Sequence, residues 1–161
     1  MQNAKDTFYV TLRNRLAAVN PDRTVVVRGV VRPGMLVVEN EMAVAELPAD
    51  AFLLQWTELA VDSTGAMPVA VMRCSVQYFT DGDRDNAGMD RGRMLTAMDT
   101  ELRKILAPHH AQKMSYATLP PKACQSNIYW GDAVFEGVAA TAERVGRVAR
   151  VDVYSYEEPG E

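Results

Sequence analysis

Residues 69–79 carry the strictest alternation of apolar and polar side chains, and this pattern constrains the fold more than any other feature of the sequence. One face of an extended chain would carry five apolar residues here: Ala70, Met72, Cys74, Val76 and Tyr78. The opposite face would carry Arg73, Ser75 and Gln77. A strand with a single apolar face is typical of a sheet that packs on a core from one side.

A second strand is predicted just before it, over residues 51–62. Phe52, Leu54 and Trp56 alternate with residues that are themselves partly apolar, so this strand is expected inside a sheet rather than at its edge. The turn sequence STGA at 63–66 separates the two strands. Together they are predicted to form an antiparallel hairpin with one face on the core.

The first helix is predicted over residues 4–19. Phe8, Leu12 and Leu16 recur at the spacing that gives one apolar stripe along a helix. The Asn20-Pro21 pair ends this helix, because a residue that precedes proline is pushed out of the helical region.

A second helix is predicted over residues 90–106. Asp90 is the expected N-cap, because its carboxylate can accept a hydrogen bond from an exposed backbone N–H of the first turn. Pro108 stops the helix. Its apolar stripe consists of Leu95, Met98, Leu102 and Ile105.

The other extended segments are predicted from valine-rich composition and from alternation. A strand over 24–31 is expected to end at a turn over 32–34, and residues 35–39 to pair back as a short strand. Polar residues predict loops at 40–50 and 80–88. In the last third, extended segments are predicted at 113–119, 128–130, 132–138 and 145–156.

Helices and strands therefore follow one another in the order helix, strands, helix, strands. Consecutive strands joined by short turns predict an α+β fold, with a mainly antiparallel β-sheet and two amphipathic helices packed on one face. The length of 161 residues predicts a single domain over 1–161, with a frayed acidic tail at 157–161.

The bulk composition argues against several classes of protein. A net charge of −4 and a pI near 5.2 argue against non-specific binding of nucleic acid or acidic lipid, which requires clustered lysine and arginine. The sequence shows neither a signal peptide nor an apolar run long enough to span a membrane. We therefore expect no membrane partner and no specific nucleic-acid binding.

A calcium-like motif at 81–86 is incomplete. Asp81, Asp83 and Asp85 match the first, third and fifth positions of a calcium-binding loop, but Asn86 replaces the glycine of the sixth position. Gly92 replaces the bidentate glutamate of the twelfth. A solvated loop is the favoured interpretation.

The other candidate chemistry is also weak. His109 and His110 are adjacent, whereas a helical zinc pair needs a four-residue spacing, and their side chains are expected to diverge. Cys74 and Cys124 are too few for a zinc module, and Cys74 is interpreted as a buried, unreactive thiol. A disulfide between the two cysteines stays open. No serine elbow or phosphate-binding glycine loop is present, so no catalytic, cofactor-binding or metal-binding residues are predicted.

Aromatic residues are concentrated towards the C-terminus. They are Tyr129, Trp130, Phe135, Tyr154 and Tyr156. A ligand-stacking surface is one interpretation. We favour a core with a subunit interface, where large amphipathic side chains are enriched.

The element order, with a few local sequences, resembles a known family. An amphipathic N-terminal helix leads to VVV at 25–27, and a central hairpin ends in VQYF at 76–79. A helix opens with DRGRMLTAMD at 90–99, and the chain closes with YWGD at 129–132 and ARVDVY at 149–154. This pattern is similar to the tail terminator, or tail completion, proteins of long-tailed phages and prophages.

The resemblance implies a structural subunit that forms a homohexameric ring. Such a ring caps the tail tube, and its partners are further copies of itself, the tail tube and the head-completion proteins. It is assembled in the host cytoplasm and remains in the virion tail or a tail-like particle. The family brings no catalytic residues and no cofactor. A small-molecule-binding or enzymatic α+β domain and another head–tail connector subunit remain as alternatives.

Overall fold

The computed structural model describes residues 1–40 and 47–158. Residues 41–46, which belong to the predicted loop at 40–50, lie outside the described residues. Two α-helices are present, α1 (Gln2–Val19) and α2 (Arg91–Ile105), with a short 3-10 helix at Arg84–Asn86. The strands are β1 (Thr24–Val27), β2 (Val30–Pro33), β3 (Met35–Val37), β4 (Phe52–Asp62), β5 (Val69–Thr80), β6 (His109–Ser115), β7 (Lys122–Trp130), β8 (Val134–Phe135), β9 (Ala139–Ala140) and β10 (Val145–Tyr156).

The main sheet has the strand order β3-β4-β5-β10-β7-β6, and β8 and β9 also pair with β10. All of its pairs are antiparallel except β3 with β4. The C-terminal strand lies at the centre, because β10 pairs with β5 along its whole length, from Val145 opposite Thr80 to Tyr156 opposite Val69. The sheet is therefore complete only when the last strand inserts between β5, from the middle of the sequence, and β7.

Both helices cover the same face of this sheet. The core contains Phe8, Leu12 and Leu16 of α1 together with Leu95, Met98, Leu102 and Ile105 of α2. The strands contribute the alternating residues Met72, Cys74, Val76 and Tyr78 of β5 and Ala149, Val151 and Val153 of β10. This arrangement confirms the predicted α+β class, with a mainly antiparallel sheet and two helices on one face.

The strongest sequence patterns are confirmed. Alternation predicted β5 over 69–79, one residue short of its observed end at Thr80. It predicted β10 over 145–156, which are its observed bounds. The hairpin of β4 and β5 is also as predicted, although β4 is only partly internal. β3 pairs with it only from Phe52 to Leu54, so the rest of β4 lies at the edge among the residues that the structure describes.

The prediction of one strand over 24–31 is wrong. The chain reverses at Arg28 and Gly29, whose φ values of 50° and 78° are those of a two-residue turn with both central residues left-handed. β1 and β2 therefore form a separate two-stranded ribbon, with Val26 opposite Val31. The short strand that follows does not pair back onto this ribbon either, because β3 pairs in parallel with β4.

The extended segments of the last third are longer or displaced relative to the prediction. β6 starts at His109 rather than at residue 113, and β7 adds residues 122–127 to the predicted 128–130. The predicted segment 132–138 contains only the short strand β8, and β9 follows it. Along β7 no side chain before Ile128 is buried, so alternation gave little signal there.

The side chain of Asp90 does not cap α2, which corrects the prediction. Its carboxylate instead accepts from the backbone N–H of Asp83, at 3.1 Å for each oxygen. Asp90 therefore organises the loop before the helix rather than the helix terminus itself.

The first helix also closes one edge of the sheet. The Thr7 hydroxyl accepts from the N–H of Met114 on β6 at 2.9 Å, and it lies 3.3 Å from the carbonyl oxygen of the same residue. Thr7 is 2% exposed, so this contact is sealed from solvent. The outer backbone of β6 is thus engaged by α1 at Met114.

The predicted frayed tail is also corrected at Glu158. Its carboxylate accepts from the Ser126 hydroxyl at 2.6 Å and from the Ser126 N–H at 2.8 Å. It lies 3.2 Å from the Nζ of Lys113, a fully buried lysine on β6. Residues 159–161 lie outside the part of the chain that the structure describes.

Candidate assembly surfaces

The first candidate surface is the outer half of the β4–β5 hairpin, residues 57–72, which we call the arm. A register irregularity between Trp56 and Glu58 separates it from the part of the hairpin that packs under α1. Leu59 pairs with Met72 and Val61 with Ala70. The β5 residues of these pairs are buried, yet Leu59 is 49% exposed and Val61 is 43% exposed. Met67 in the connecting turn is also exposed, so the arm presents apolar side chains to solvent.

The backbone of the arm is also open along β4. The last contact with the neighbouring chain segment is the hydrogen bond from the N–H of Val38 to the carbonyl of Leu54, at 2.9 Å. Within residues 1–40 and 47–158, no strand pairs with this side of β4 beyond Leu54. Open edges of this kind are where another chain adds to a sheet.

Acidic side chains lie beside the apolar residues of the arm. Glu58 pairs with Arg73 at 2.6 Å across the hairpin. Asp62 accepts from both the hydroxyl and the N–H of Thr64, and these hydrogen bonds lower the pKa of Asp62 below its usual range. Asp62 therefore stays charged near neutral pH, and the end of the arm carries negative charge.

The second candidate surface is the β1–β2 ribbon, residues 24–33. Val26 is 68% exposed and its cross-strand partner Val31 is 65% exposed, so the two form an apolar pair on the outer face of the ribbon. Val30 is exposed as well. Only Val25 is buried, in a small cluster with Leu36 and Ala51.

The base of the ribbon is held in place by a salt bridge. The guanidinium of Arg23 binds Glu101 of α2 through two nitrogens, at 2.5 and 3.1 Å, and its third nitrogen donates to the carbonyl of Asp50 at 2.7 Å. The Arg23 carbonyl accepts from the N–H of Gly34, which follows β2 at the same base. The ribbon is therefore fixed at its base while its tip stays exposed.

The ribbon carries positive charge. Arg28 occupies its turn, and Arg32 lies on the strand that follows. Both line a shallow groove with Arg13 of α1, which stacks on the ring of Tyr9. This end of the molecule is thus basic although the chain as a whole is acidic.

The face of the sheet opposite the helices is polar, and its charges neutralise one another. Arg73 donates to Asp152 at 2.9 Å as well as to Glu58. Arg150 lies 2.6 Å from Glu136. A shallow groove runs along these residues, and both of its arginines, Arg73 and Arg150, already have carboxylate partners.

The predicted aromatic cluster is divided between two faces. Trp130 is buried in the core, where its ring meets that of Phe8, and Phe135 packs against the same core. Tyr129 and Tyr154 lie on the open face with their rings stacked 5.0 Å apart, and Tyr156 is exposed. The core part of our interpretation is confirmed, whereas the interface part stays a prediction.

The two histidines are the first two residues of β6. Their rings do not diverge as expected, because the ring centroids are 5.3 Å apart and stacked. Desolvation lowers the pKa of His109, and the charges of Arg15 and His110 lower it further. His109 also contacts the edge of Trp130, which explains its orientation without a ligand.

The polar groups of the calcium-like loop form hydrogen bonds and an ion pair with one another and with neighbouring residues. The Asp83 carboxylate accepts from the N–H of Asp85 at 2.9 Å, and Asp81 faces Arg144 at 3.4 Å. Arg91 donates to the carbonyl of Asp81 at 2.9 Å. In the described part of the chain, no three His, Cys, Asp or Glu side chains are placed to hold a metal ion.

The cysteines are not joined by a disulfide. Cys74 is buried beneath α1, and desolvation raises its pKa to about 12. Its thiol is therefore protonated near neutral pH, as expected for an unreactive core cysteine.

The arm and the ribbon were not identified from the sequence. A signal was available for each: the 11 extended residues of β4 reach farther than the 18 helical residues of α1, and Gly29 interrupts the valine run at 24–31. No helix within residues 1–40 and 47–158 is long and apolar enough to cross a membrane.

Comparison with known proteins identifies no family. No protein-family profile matches this chain, and no curated protein matches it. Among solved structures, the chain is similar to one from a particle described as "Virion of native gene transfer agent (GTA) particle". The likeness covers 94% of both chains at 16% identity with a TM-score of 0.37, which is too low to serve as an argument about function.

Proposed function

We propose that this protein is a non-catalytic structural subunit of a phage-like tail. In this proposal it is a tail terminator that assembles with copies of itself into a ring, expected to be a hexamer. The ring caps the tail tube, stops its growth and joins it to head-completion proteins. It forms in the host cytoplasm and stays in the virion tail or tail-like particle.

The observation that carries the proposal is the pair of exposed apolar surfaces on different parts of one chain. The arm exposes Leu59 and Val61, and the ribbon exposes Val26 and Val31. Because the two surfaces differ, a contact between them is head-to-tail, and head-to-tail contacts generate rings when the rotation closes. Surfaces of this kind suit a protein whose function is assembly.

The confirmed α+β fold gives further support. It preserves the order of helix, strands, helix and strands on which the resemblance to tail terminators rests. The polar face adds a second argument, since Arg73 and Arg150 are each paired with a carboxylate and so are poorly placed to bind an anionic substrate.

Light scattering coupled to size-exclusion chromatography, with negative-stain imaging, tests the ring. We expect particles of several copies with rotational symmetry. A protein that stays monomeric at high concentration and does not bind isolated tail tubes would contradict the proposal.

Particles assembled without the protein separate the terminator from the connector. Loss of a terminator gives overlong tails without heads, because nothing stops polymerisation of the tube. Loss of a connector gives headless tails of normal length, and that result would replace the terminator role with the connector role.

A further inference from the structure

We infer that the arm of one copy docks on the β1–β2 ribbon of the next copy, and that this contact builds the ring. The inference rests on the proposed self-assembly and names its interface. Leu59 and Val61 of one copy pack against Val26 and Val31 of its neighbour. Asp62, the last residue of β4, faces Arg28 in the exposed turn of the ribbon.

The apolar side chains of the two surfaces match in size and in setting. Each surface offers two β-branched or leucine side chains that are roughly half to two-thirds exposed in a single copy. Burying such side chains is favourable in proportion to the apolar area removed from water. Neither surface is satisfied within its own chain, because all four side chains remain exposed in the fold.

The charges of the two surfaces are opposite. On the arm, Asp62 follows Val61 at the end of β4, whereas Glu58 is already paired with Arg73. The ribbon has no acidic residue between Thr24 and Pro33, and its exposed turn carries Arg28. Opposite charge across an interface favours the correct partner and disfavours contact of two arms or of two ribbons.

Both surfaces are held in a fixed orientation by the rest of the chain, which favours docking between copies. The ribbon is held at its base by Arg23 and Glu101, so its valine pair is presented in a defined orientation. The arm is held by its pairing with β5, and the register of Leu59 with Met72 fixes which side chains face outward. Two pre-oriented surfaces lose less entropy on association than mobile ones do.

Cysteine cross-linking tests the contact in the full chain. Cys124→Ser provides the background, since Cys74 is buried. One variant then carries Val31→Cys and the other Val61→Cys. We expect a disulfide-linked dimer when the two variants are mixed under mild oxidation, and little dimer from either variant alone.

A chain with both substitutions should give a covalent ladder on a denaturing gel. The ladder should end at the number of copies in the ring. Dimers from Val61→Cys or Val31→Cys alone would show a symmetric contact and overturn the inference.

Charge exchange provides an independent readout. Arg28→Asp suits the left-handed backbone at this position, because aspartate tolerates it better than most residues. We expect Arg28→Asp or Asp62→Lys to weaken self-association about tenfold each, and the double variant to recover most of the loss. Arg103→Asp, an exposed charge on α2, is the matched control and should have no effect.

The outcomes separate this inference from the proposed function. Symmetric particles that show neither the cross-link nor the charge rescue would overturn the arm–ribbon contact while the ring stands. A protein that is monomeric at every concentration, with no cross-link, would overturn both.

Discussion

The Nζ of Lys113 lies 3.2 Å from a carboxylate oxygen of Glu158, and this ion pair ties the middle of β6 to the segment that follows β10. Lys113 is fully buried, and it also donates to the carbonyl of Tyr156 at 2.9 Å. A buried ammonium requires such partners, because an isolated charge away from water is strongly disfavoured. The end of the described chain is therefore part of the packed structure.

Replacing Glu158 with Gln should make stability less sensitive to acid. Hydrogen bonding from the Ser126 hydroxyl, the backbone N–H groups of Gln125 and Ser126, and Lys113 lowers the pKa of Glu158 to about 2, from an ordinary value of 4.5. A lowered pKa stabilises the fold above the ordinary value, and this contribution is lost as pH falls from 4.5 towards 2. We expect Glu158→Gln to lower the Tm by about 2–4 °C near neutral pH, with the difference shrinking across that window.

Thermal unfolding followed by circular dichroism over a pH series measures this difference. Glu143→Gln, at an exposed glutamate in the loop between β9 and β10, is the control and should leave the Tm within about 1 °C of the parent. A Tm difference for Glu158→Gln that stays constant from neutral pH to pH 2 would contradict the assignment.

Tyr78→Phe should destabilise the protein through the contact between the sheet and α2. The Tyr78 hydroxyl donates to Asp99 of α2, which also lies 3.2 Å from Arg147 of β10. A hydrogen bond to a charged group contributes about 1.5–3 kcal/mol. We expect the free energy of unfolding to fall by about 2 kcal/mol and the Tm by about 4–8 °C.

Urea and thermal denaturation measure the effect of Tyr78→Phe. The matched control is Tyr129→Phe, which removes a hydroxyl from a half-exposed tyrosine on the open face. Equal losses in the two variants would show that the Asp99 contact contributes nothing specific.

Arg23→Lys should loosen the ribbon while preserving charge. Lysine cannot reproduce the two-nitrogen contact with Glu101 and the additional bond to the Asp50 carbonyl. We expect a loss of about 2 kcal/mol, with faster amide hydrogen exchange in β1 and β2 than in the parent protein.

Hydrogen exchange monitored by mass spectrometry resolves the location of this effect. Arg103→Lys, on the exposed face of α2, should change neither stability nor exchange. Uniformly faster exchange throughout the sheet, without enrichment in the ribbon, would show that Arg23 supports the whole fold rather than the ribbon.

Cys74 should resist alkylation in the folded protein. Its thiol is fully buried and its pKa is raised to about 12, so thiolate is scarce at pH 8 or below. Cys124 is half-buried on β7 and should be modified at least tenfold faster by iodoacetamide. Peptide mass spectrometry measures the alkylation rate at each cysteine. Comparable rates in the folded protein would contradict the burial of Cys74. Unfolding in urea is the control and should make the two alkylation rates equal.

Sequence patterns located the elements whose side chains meet the core at regular intervals. β5 and β10 alternate because they lie in the middle of the sheet with helices on one face only, and the helix stripes reflect the same core. The position of β10 between β5 and β7, however, depends on contacts between distant parts of the chain, and local periodicity carries no information on such pairing.

The errors have local physical causes. The valine run at 24–31 hides a reversal, because Arg28 adopts a left-handed backbone that is unusual for arginine. The first half of β7 lacks an apolar face, so the sequence pattern did not predict a strand there. Lysine is seldom buried, so the sequence gives no sign that Lys113 lies inside the fold beside Glu158.

The assembly surfaces could be predicted only in part. A valine or leucine has the same side chain whether it is exposed or buried. The sequence therefore does not distinguish exposed Val26 from buried Val25, or exposed Leu59 from buried Leu54. The distinction depends on where the helices end over the sheet. A strand that extends beyond its helical cover is recognised only when both lengths are known.

The contact of Thr7 with Met114 limits how copies of this protein can associate. Because α1 already engages the outer backbone of β6 at this residue, a second chain cannot add a strand there without displacing the helix. A stack of molecules joined sheet to sheet, as in a fibril, needs two open edges on every copy. This chain blocks one of them with its own first helix, so unlimited cross-chain sheets are disfavoured while closed assemblies of defined size are not.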